Sequence, residues 1–187
     1  FKYIGLDLFE KNDENKYEII PNTNFSNPLK QIYFKYIKRQ DPYSMESVND
    51  LLKKFKKNIH LIKGNSNKVL KKINMKKIDF VFIDGGHEYS IVKKDIEIGW
   101  RKLKPGGYIC GDDYSGDYHY HKIDEVSEEQ LEQDTIKGDG YIKIADGNGI
   151  LVSVNNVHAG VIKAVHEFFD GQANVNNWGR YWYYKKD

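Results

Sequence analysis

The stretch "IDFVFIDGGHEYSIVKKDIEIGWRKLKPGGYICGDDY", residues Ile78–Tyr114, decides the fold because its pattern is that of a strand, a helix and a second strand. The nearly continuous apolar run Ile78–Asp84 predicts a strand buried on both faces of a parallel sheet. Apolar residues then recur every three or four positions, which predicts a helix over about Ser90–Lys102. The "KPGG" turn ends that helix, and a second strand is predicted at Gly107–Asp113.

The rest of the chain repeats this alternation of strands and helices. Strands are predicted at Lys2–Asp7, Asn58–Gly64 and Arg180–Lys186, and helices at Ser44–Lys57, Ser66–Asn74 and Gly160–Phe169. We therefore expect an α/β protein with a Rossmann-like, mostly parallel sheet and helices on both faces. Residues 1–187 are expected to form one domain, and residues 115–157 an insertion that carries a capped helix at Ser127–Asp134 and a hairpin around Ala145–Gly149.

The composition limits the classes of function that the chain could have. The 187 residues are 40% apolar and 14% aromatic, which is typical of a folded domain. The 29 basic and 27 acidic residues nearly balance, so no electrostatic argument favours nucleic acid or a membrane as partner. No apolar run approaches the ~18 residues of a spanning helix. The single cysteine, Cys110, excludes an intramolecular disulfide and predicts a reducing, cytoplasmic location.

Polar residues follow four of the predicted strands at their carboxyl ends. These residues are Asp7, Gly64–Asn67, Asp84 and the pair Asp112–Asp113. Ligands of open α/β sheets bind beyond the carboxyl ends of the strands, so we expect all four groups at one edge of the sheet. An acid in the position of Asp7 suits a ribose diol, and the "GNSN" turn offers donors and acceptors to a base.

Three carboxylates, those of Asp84, Asp112 and Asp113, are expected to meet if their strands are neighbours. They repel one another unless a cation compensates, and oxygen-only ligands favour Mg²⁺ before Mn²⁺. His87 lies three residues after Asp84 and could take a proton from a hydroxyl near that ion, since imidazole titrates near neutral pH. Two simpler interpretations remain open: Asp84 as a helix cap, and His87 as a surface turn residue.

These motifs resemble those of the class I S-adenosylmethionine-dependent O-methyltransferases, in the metal-dependent group that includes catechol-type and macrocin-type sugar O-methyltransferases. "IGLD" is similar to the second strand of that family with its ribose-binding acid, and "GNSN" to its adenine-side turn. The stretch from Phe80 to Tyr114 is similar to the core from strand four to strand five. "AGVIKAVHEFF" is similar to the helix that follows the core.

The resemblance implies a cofactor, a metal and an acceptor. S-adenosylmethionine would contact Asp7, Gly64, Asn65, Ser66, Asn67 and Asp84; Asp84, Asp112 and Asp113 would hold Mg²⁺ (or Mn²⁺); His87 would be the general base. The acceptor would be a hydroxyl of a sugar or a glycosylated small molecule. The family's first strand and Gly-rich turn should precede Phe1. Either they lie upstream, in a longer protein fused to further domains, or the chain cannot bind the cofactor in the usual way. A homo-oligomer is left open.

Two other functions remain as alternatives. The chain also resembles cephalosporin-hydroxylase-like proteins, which are named for oxidation, and it could be a non-catalytic cofactor-fold module of a multidomain glycosyltransferase. Among the remaining candidates, "DYHYH" at Asp117–His121 is expected to be solvated or to face the acceptor rather than to hold a second metal. We expect Cys110 to be a small buried hydrophobe. The histidines expected to be structural are His60, His158 and His166.

Overall fold

The computed structural model describes residues 3–7, 44–72, 78–114, 118–119, 122–133, 143–145, 151–153, 157–176 and 181–187. Within the chain, Phe1–Val69 and Leu70–Asp187 form two compact units. The tip of the hairpin expected around Ala145–Gly149 and most of the "DYHYH" segment lie outside the described residues. The single domain over 1–187 and the insertion over 115–157 stay predictions.

The first unit contains a parallel pair of strands, as the sequence predicts. Strand β1 (Tyr3–Asp7) pairs with β2 (Ile59–Lys63) so that Asp7 lies beside Lys63 at their carboxyl ends. Tyr3 and Ile4 of this pair are exposed. The reason is that β1 has only β2 as a neighbouring strand among the described residues of this unit.

Two short helices belong to the segments around β2. Helix α1 (Met45–Leu51) begins at Ser44, whose Oγ accepts a hydrogen bond from the backbone N–H of Ser47 at 3.2 Å. The helix predicted to reach Lys57 ends at Leu51 and continues as a 3₁₀ turn over Lys53–Phe55. Like charges three and four residues apart in "KKFKK" disfavour a longer α-helix. Helix α2 (Ser66–Lys72) follows β2 directly.

The second unit is built on a mixed sheet. Its elements are β3 (Ile78–Ile83), α3 (Tyr89–Lys102), β4 (Leu103–Gly111), a 3₁₀ turn (Ile123–Glu125), α4 (Glu128–Leu131), β5 (Lys143–Ala145), β6 (Leu151–Ser153), α5 (Ala159–Phe168), β7 (Asn174–Val175) and β8 (Trp182–Lys185). The sheet has the order β3-β4-β8-β7, in which β3 and β4 are parallel and the other pairs antiparallel. β5 and β6 form the predicted hairpin. The α/β class is confirmed.

Strand β4 begins earlier than the sequence predicts. Ile78 already pairs with Leu103, and the register shifts before Phe80 pairs with Tyr108. The intervening "KPGG" residues are therefore a bulge within the strand rather than a separate turn, and a bulge is where a sheet tolerates proline. The two-residue strand β7 was not predicted, because it is too short to show an alternating pattern.

The core of the second unit lies between the sheet and helices α3 and α5. The side chains of Ile96, Ile162 and Val165 are fully buried there, together with Ile109 and Trp182 of the sheet. Burying each such aliphatic side chain contributes about 1.5–3 kcal/mol to folding. Because α3 connects the parallel strands β3 and β4, this packing also fixes where those two strands end.

The opposite face of the same sheet is open. Side chains alternate along a strand, so Phe80, Phe82, Tyr108 and Tyr183 share one face; 57%, 50%, 43% and 44% of their surfaces are exposed. The expectation that this strand is buried on both faces is therefore wrong. The helices in the described part of the unit pack on the face that carries Val81 and Ile83.

Cys110 lies on the open face of β4 and should react slowly with thiol reagents. Burial raises the pKa of its thiol to about 11, and the thiol lies 3.5 Å from the carbonyl oxygen of Val81. Alkylation by iodoacetamide at pH 8 should be at least about tenfold slower than for an unperturbed cysteine, and should accelerate with each pH unit up to the pKa. The urea-unfolded chain is the control; equal rates in the folded and unfolded chain would contradict the prediction.

Gly160 should be irreplaceable in the start of α5. A Cβ there would lie 2.4 Å from the carbonyl oxygen of His87, 2.6 Å from the amide nitrogen of Tyr89 and 2.7 Å from the carbonyl oxygen of Leu131. Since all three atoms belong to the backbone, Gly160→Ala should lower the free energy of unfolding by about 2 kcal/mol or more in urea denaturation.

Gly85→Ala is the matched control for Gly160→Ala. A Cβ at Gly85 meets its nearest atom, an Asp95 carboxylate oxygen, at 3.8 Å, an ordinary contact. Its effect on the unfolding free energy should stay within about 0.5 kcal/mol. Equal losses in the two variants would show that the close approach at Gly160 does not matter for stability.

Candidate functional site

The carboxyl ends of β3 and β4 bring Asp84 and Asp112 to the same edge of the sheet. Ile83 pairs with Gly111, and the backbone N–H of Asp112 donates to the carbonyl oxygen of Ile83 at 3.1 Å. Gly111 permits this approach, because a Cβ there would lie 2.6 Å from that carbonyl oxygen and 2.7 Å from Nε1 of Trp182. Asp84 and Asp112, the residues that follow these two positions, therefore leave the sheet side by side.

The three predicted carboxylates do come together. One oxygen each of Asp84, Asp112 and Asp113 lies within 4.8 Å of the others. Asp113 has a φ of 59°, in the left-handed region that aspartate tolerates better than most residues, and its backbone N–H lies 2.7 Å from Oδ1 of Asp112. This turn is what keeps two consecutive carboxylates at the end of one strand.

His87 contacts this cluster directly. Its Nε2 lies 2.9 Å from Oδ2 of Asp113, although the two residues are 26 positions apart in the chain. An ionised carboxylate can only accept, so the contact requires a proton on Nε2. Both side chains are 21% exposed, which leaves the pair shielded yet reachable. The interpretation of His87 as an incidental surface residue does not agree with this contact.

Asp84 does not cap the helix that follows it. Helix α3 begins five residues later, with Glu88 at the N-cap position and no side-chain cap bond from it. The carboxylate of Glu132 instead lies near the backbone N–H of Ser90, at 3.1 Å, and near its Oγ at 2.7 Å. The simpler interpretation of Asp84 as the N-cap of this helix therefore does not agree with the structure.

The sequence did not indicate that His158 belongs to this site. Its ring centroid lies 3.9 Å from that of His87, and one ligand atom each of His87, Asp113 and His158 falls within 4.8 Å of the others. His158 is the N-cap residue of α5, more than 40 positions beyond Asp113. No local motif marks His158. The two histidines come together where the backbone at Gly160 approaches the carbonyl oxygen of His87.

The other histidines have separate surroundings. The His166 ring stacks on Tyr118 at a centroid distance of 3.6 Å, and His119 meets His166 edge-on at 5.4 Å. Neither appears in the two possible metal-ligand groups found among the described residues. His60 is an exposed residue of β2. The structural roles expected for His60 and His166 stay predictions.

The predicted cofactor residues of the first unit lie at the carboxyl ends of β1 and β2. Asp7 ends β1, and Gly64 follows β2 with a φ of 150°; a Cβ on Gly64 would lie 2.7 Å from Cγ2 of Val69. Asn65 begins the turn into α2, since its carbonyl oxygen accepts from the backbone N–H of Val69 at 3.0 Å. Oδ1 of Asn67 is buried without a hydrogen-bond partner in the described part of the chain.

Each unit thus brings together some of the predicted site residues. The first holds Asp7 near Gly64 through the pairing of β1 with β2, and the second holds Asp84, Asp112 and Asp113 with His87. That all four strand ends share one edge stays a prediction. Of the helices that the structure describes, none is long and apolar enough to cross a membrane.

Comparisons with known proteins place residues 2–114 in a family. They match the family model described as "Methyltransferase domain". A candidate caffeoyl-CoA O-methyltransferase from Staphylococcus aureus is 18% identical over 76% of this chain and 59% of that chain, with a TM-score of 0.47. An O-methyltransferase family protein from Burkholderia thailandensis is 11% identical over 100% of this chain and 51% of that one, with a TM-score of 0.46.

A third solved structure, a precorrin 8w decarboxylase from Methanobacterium thermoautotrophicum, is 22% identical over 62% of each chain, with a TM-score of 0.33. The chain therefore spans less than two thirds of the length of each of these structures. Comparison with curated proteins found no significant match. The family match nevertheless covers well over half of the 187 residues, including β1, β2, β3 and β4. The chain belongs to the methyltransferase-domain family.

Proposed function

We propose that the protein is an S-adenosylmethionine-dependent O-methyltransferase that uses a divalent metal ion. The observation that carries this proposal is the meeting of Asp84, Asp112 and Asp113 with His87 in a chain of the methyltransferase-domain family. The acceptor is a hydroxyl, preferably of a sugar or a glycosylated small molecule. That preference rests on the similarity of the "IDGGH" and "GDD" motifs to sugar-modifying enzymes.

Family membership supports S-adenosylmethionine as the cofactor, and the first unit offers groups suited to its nucleoside. Asp7, at the end of β1, is our candidate for the ribose diol. The turn Gly64–Asn67 would face the adenine. Oδ1 of Asn67, buried and without a partner among the described residues, fits this role, because a buried acceptor is costly until a donor such as an amino group satisfies it.

The three carboxylates fit a hard divalent ion. All their donor atoms are oxygens, which is the donor type that Mg²⁺ prefers and Mn²⁺ accepts. Without a cation or protons, three carboxylates at this spacing repel one another. Asp84, Asp112 and Asp113 would hold the ion, and a bound Mg²⁺ lowers the pKa of a hydroxyl that coordinates it.

His87 would take the proton of that hydroxyl. Because Nε2 donates to Oδ2 of Asp113, the lone pair of the neutral imidazole lies on Nδ1. Asp113 therefore fixes both the tautomer and the orientation of the ring, as carboxylate partners of catalytic histidines do. S-adenosylmethionine, when bound, would supply the methyl group to the acceptor oxygen and leave as a neutral thioether. Much of the rate would come from holding these atoms in line.

Several accompanying expectations also remain proposals. They are the absence of nucleic acid and membrane partners, a homo-oligomer, further domains upstream and a cytoplasmic location. An oxidative enzyme and a non-catalytic module are the alternative functions. Transfer of labelled methyl from S-adenosylmethionine to a panel of alkyl and aryl glycosides and catechol separates them: no transfer to any acceptor, with a tightly held redox metal, would favour the oxidative alternative.

Removing a single carboxylate of the cluster should abolish metal-stimulated methyl transfer. Asp84→Asn and Asp113→Asn should each lower the rate in the labelled-methyl assay by at least about 100-fold, because the metal supplies several kcal/mol of catalysis. Asparagine is the suitable replacement at Asp113, since it tolerates the φ of 59° found there. Asp170→Asn, at an exposed residue with a φ of 51°, is the matched control. Methyl transfer that survives a chelator would contradict the metal mechanism.

Replacing His87 should slow turnover without weakening cofactor binding. A positioned general base contributes typically about 10²–10⁴-fold, so His87→Ala should lower kcat by that range. Calorimetric titration with S-adenosylhomocysteine, with and without Mg²⁺, should give the wild-type affinity. His60→Ala is the control for loss of an imidazole elsewhere. An unchanged kcat, or a lost cofactor affinity, would remove His87 from the role of base.

A further inference from the structure

The second unit holds another set of metal-ligating atoms beside the three carboxylates. We propose that His87, His158 and one carboxylate oxygen of Asp113 form a site for a borderline divalent transition ion, with Zn²⁺ as the ion chosen. One ligand atom from each residue lies within 4.8 Å of the other two. This site differs from the proposed magnesium site in its donors, because two of its three ligands are nitrogens.

The spacing of the donors suits one small ion. Nε2 of His87 and Oδ2 of Asp113 are 2.9 Å apart. Two ligands that each lie about 2.1 Å from a zinc ion, at the tetrahedral angle, are about 3.4 Å apart. This pair would therefore separate by about half an ångström to bind one ion, and a ligand atom of His158 lies within 4.8 Å of both. Three protein ligands with an open fourth position are common in non-structural zinc sites.

The backbone around the two histidines is tightly packed. His158 is the N-cap residue of α5, and the adjoining first turn of that helix touches the segment that carries His87. A Cβ at Gly160 would lie 2.4 Å from the carbonyl oxygen of His87, so these two backbones are in direct contact. Both rings are half-buried. Such packing holds the donors in place before an ion arrives, which reduces the entropic cost of binding.

The ion preference follows from the donor atoms. Imidazole nitrogen favours Zn²⁺, Co²⁺ and Ni²⁺, whereas oxygen-only sets favour Mg²⁺ and Mn²⁺. Asp113 belongs to both sets, so the two ions compete for one carboxylate. His158 belongs to the nitrogen-containing set alone and lies beyond the residues 2–114 that match the family model. The site formed by His87, Asp113 and His158, the mixed site, therefore depends on a residue that lies after the matched segment.

Occupation of the mixed site has a consequence for the reaction, which rests on the proposed function. A zinc ion held by His87 and Asp113 removes the base and one magnesium ligand at once. Zn²⁺ should therefore inhibit methyl transfer in the presence of Mg²⁺, and a variant without His158 should resist that inhibition.

Metal binding to the full chain, stripped of ions by a chelator, tests the site without any activity assay. Zn²⁺ affinity is measured by calorimetry, and Co²⁺ serves as a spectroscopic probe whose visible bands report nitrogen ligation. His158→Gln should weaken Zn²⁺ binding by at least about tenfold and leave Mg²⁺ binding unchanged. Asp84→Asn should weaken Mg²⁺ binding and leave Zn²⁺ binding unchanged. Asp113→Asn should weaken the binding of both ions. Thermal unfolding of each variant shows that it is folded.

His119→Ala is the matched control, because His119 lies in the "DYHYH" segment, outside both ligand groups of the described residues. It should leave Zn²⁺ affinity unchanged. Zinc binding that is lost with His119 and kept with His158→Gln would overturn the proposal, as would an equal loss of Mg²⁺ affinity in His158→Gln. A second variant, His158→Ala, replaces His158→Gln if the latter does not fold.

The outcomes distinguish this inference from the proposed function. If the pattern of Zn²⁺ and Mg²⁺ affinities holds but no acceptor is methylated, the mixed site stands and the proposed function fails. If methyl transfer is found but Zn²⁺ affinity does not depend on His158, the proposed function stands and the mixed site fails.

Discussion

The candidate site depends on the parallel pairing of β3 with β4, and in particular on how closely the two strands approach at Gly111. A side chain at that position would collide with the carbonyl oxygen of Ile83 and with Trp182. The absence of one lets the last residues of both strands pair, so Asp84 and Asp112 emerge side by side. Helix α3, packed on β3 and β4, holds the pair in this register. Three like charges are thereby concentrated at one sheet edge, which favours a cation there.

A second close approach, at Gly160, connects the core of the second unit to the same edge. Helix α5 buries Val161, Ile162 and Val165 against the core, and its first turn touches the backbone of His87 and Tyr89. The apolar burial that stabilises α5 therefore also places His158 beside His87. Stability and the arrangement of potential ligands are linked here, since neither histidine could move far without disturbing packed backbone.

Much of the fold could be predicted because its signals are local. The helical spacing of apolar residues and the capping residues predicted α3, α5 and the starts of α1 and α4 to within a residue or two. The structure differs where a nonlocal interaction decides. Leu103 joins the sheet because Ile78 is available as a partner, and no pattern in "KPGG" indicates that. Phe80 and Phe82 are exposed because the helices in the described part of their unit pack on the other face of the sheet, which an apolar run cannot reveal.

The sequence by itself determined the α/β class, the order of most strands and helices, the positions of Asp84, Asp112 and Asp113 at strand ends, and His87 three residues after the first of them. It could do so because each depends on residues a few positions apart. Only the tertiary structure decided that His87 hydrogen-bonds to Asp113 and that His158 lies beside it. These contacts join residues that are distant in the chain, and they exist only because glycines at 111 and 160 allow backbones to approach within the reach of a side chain.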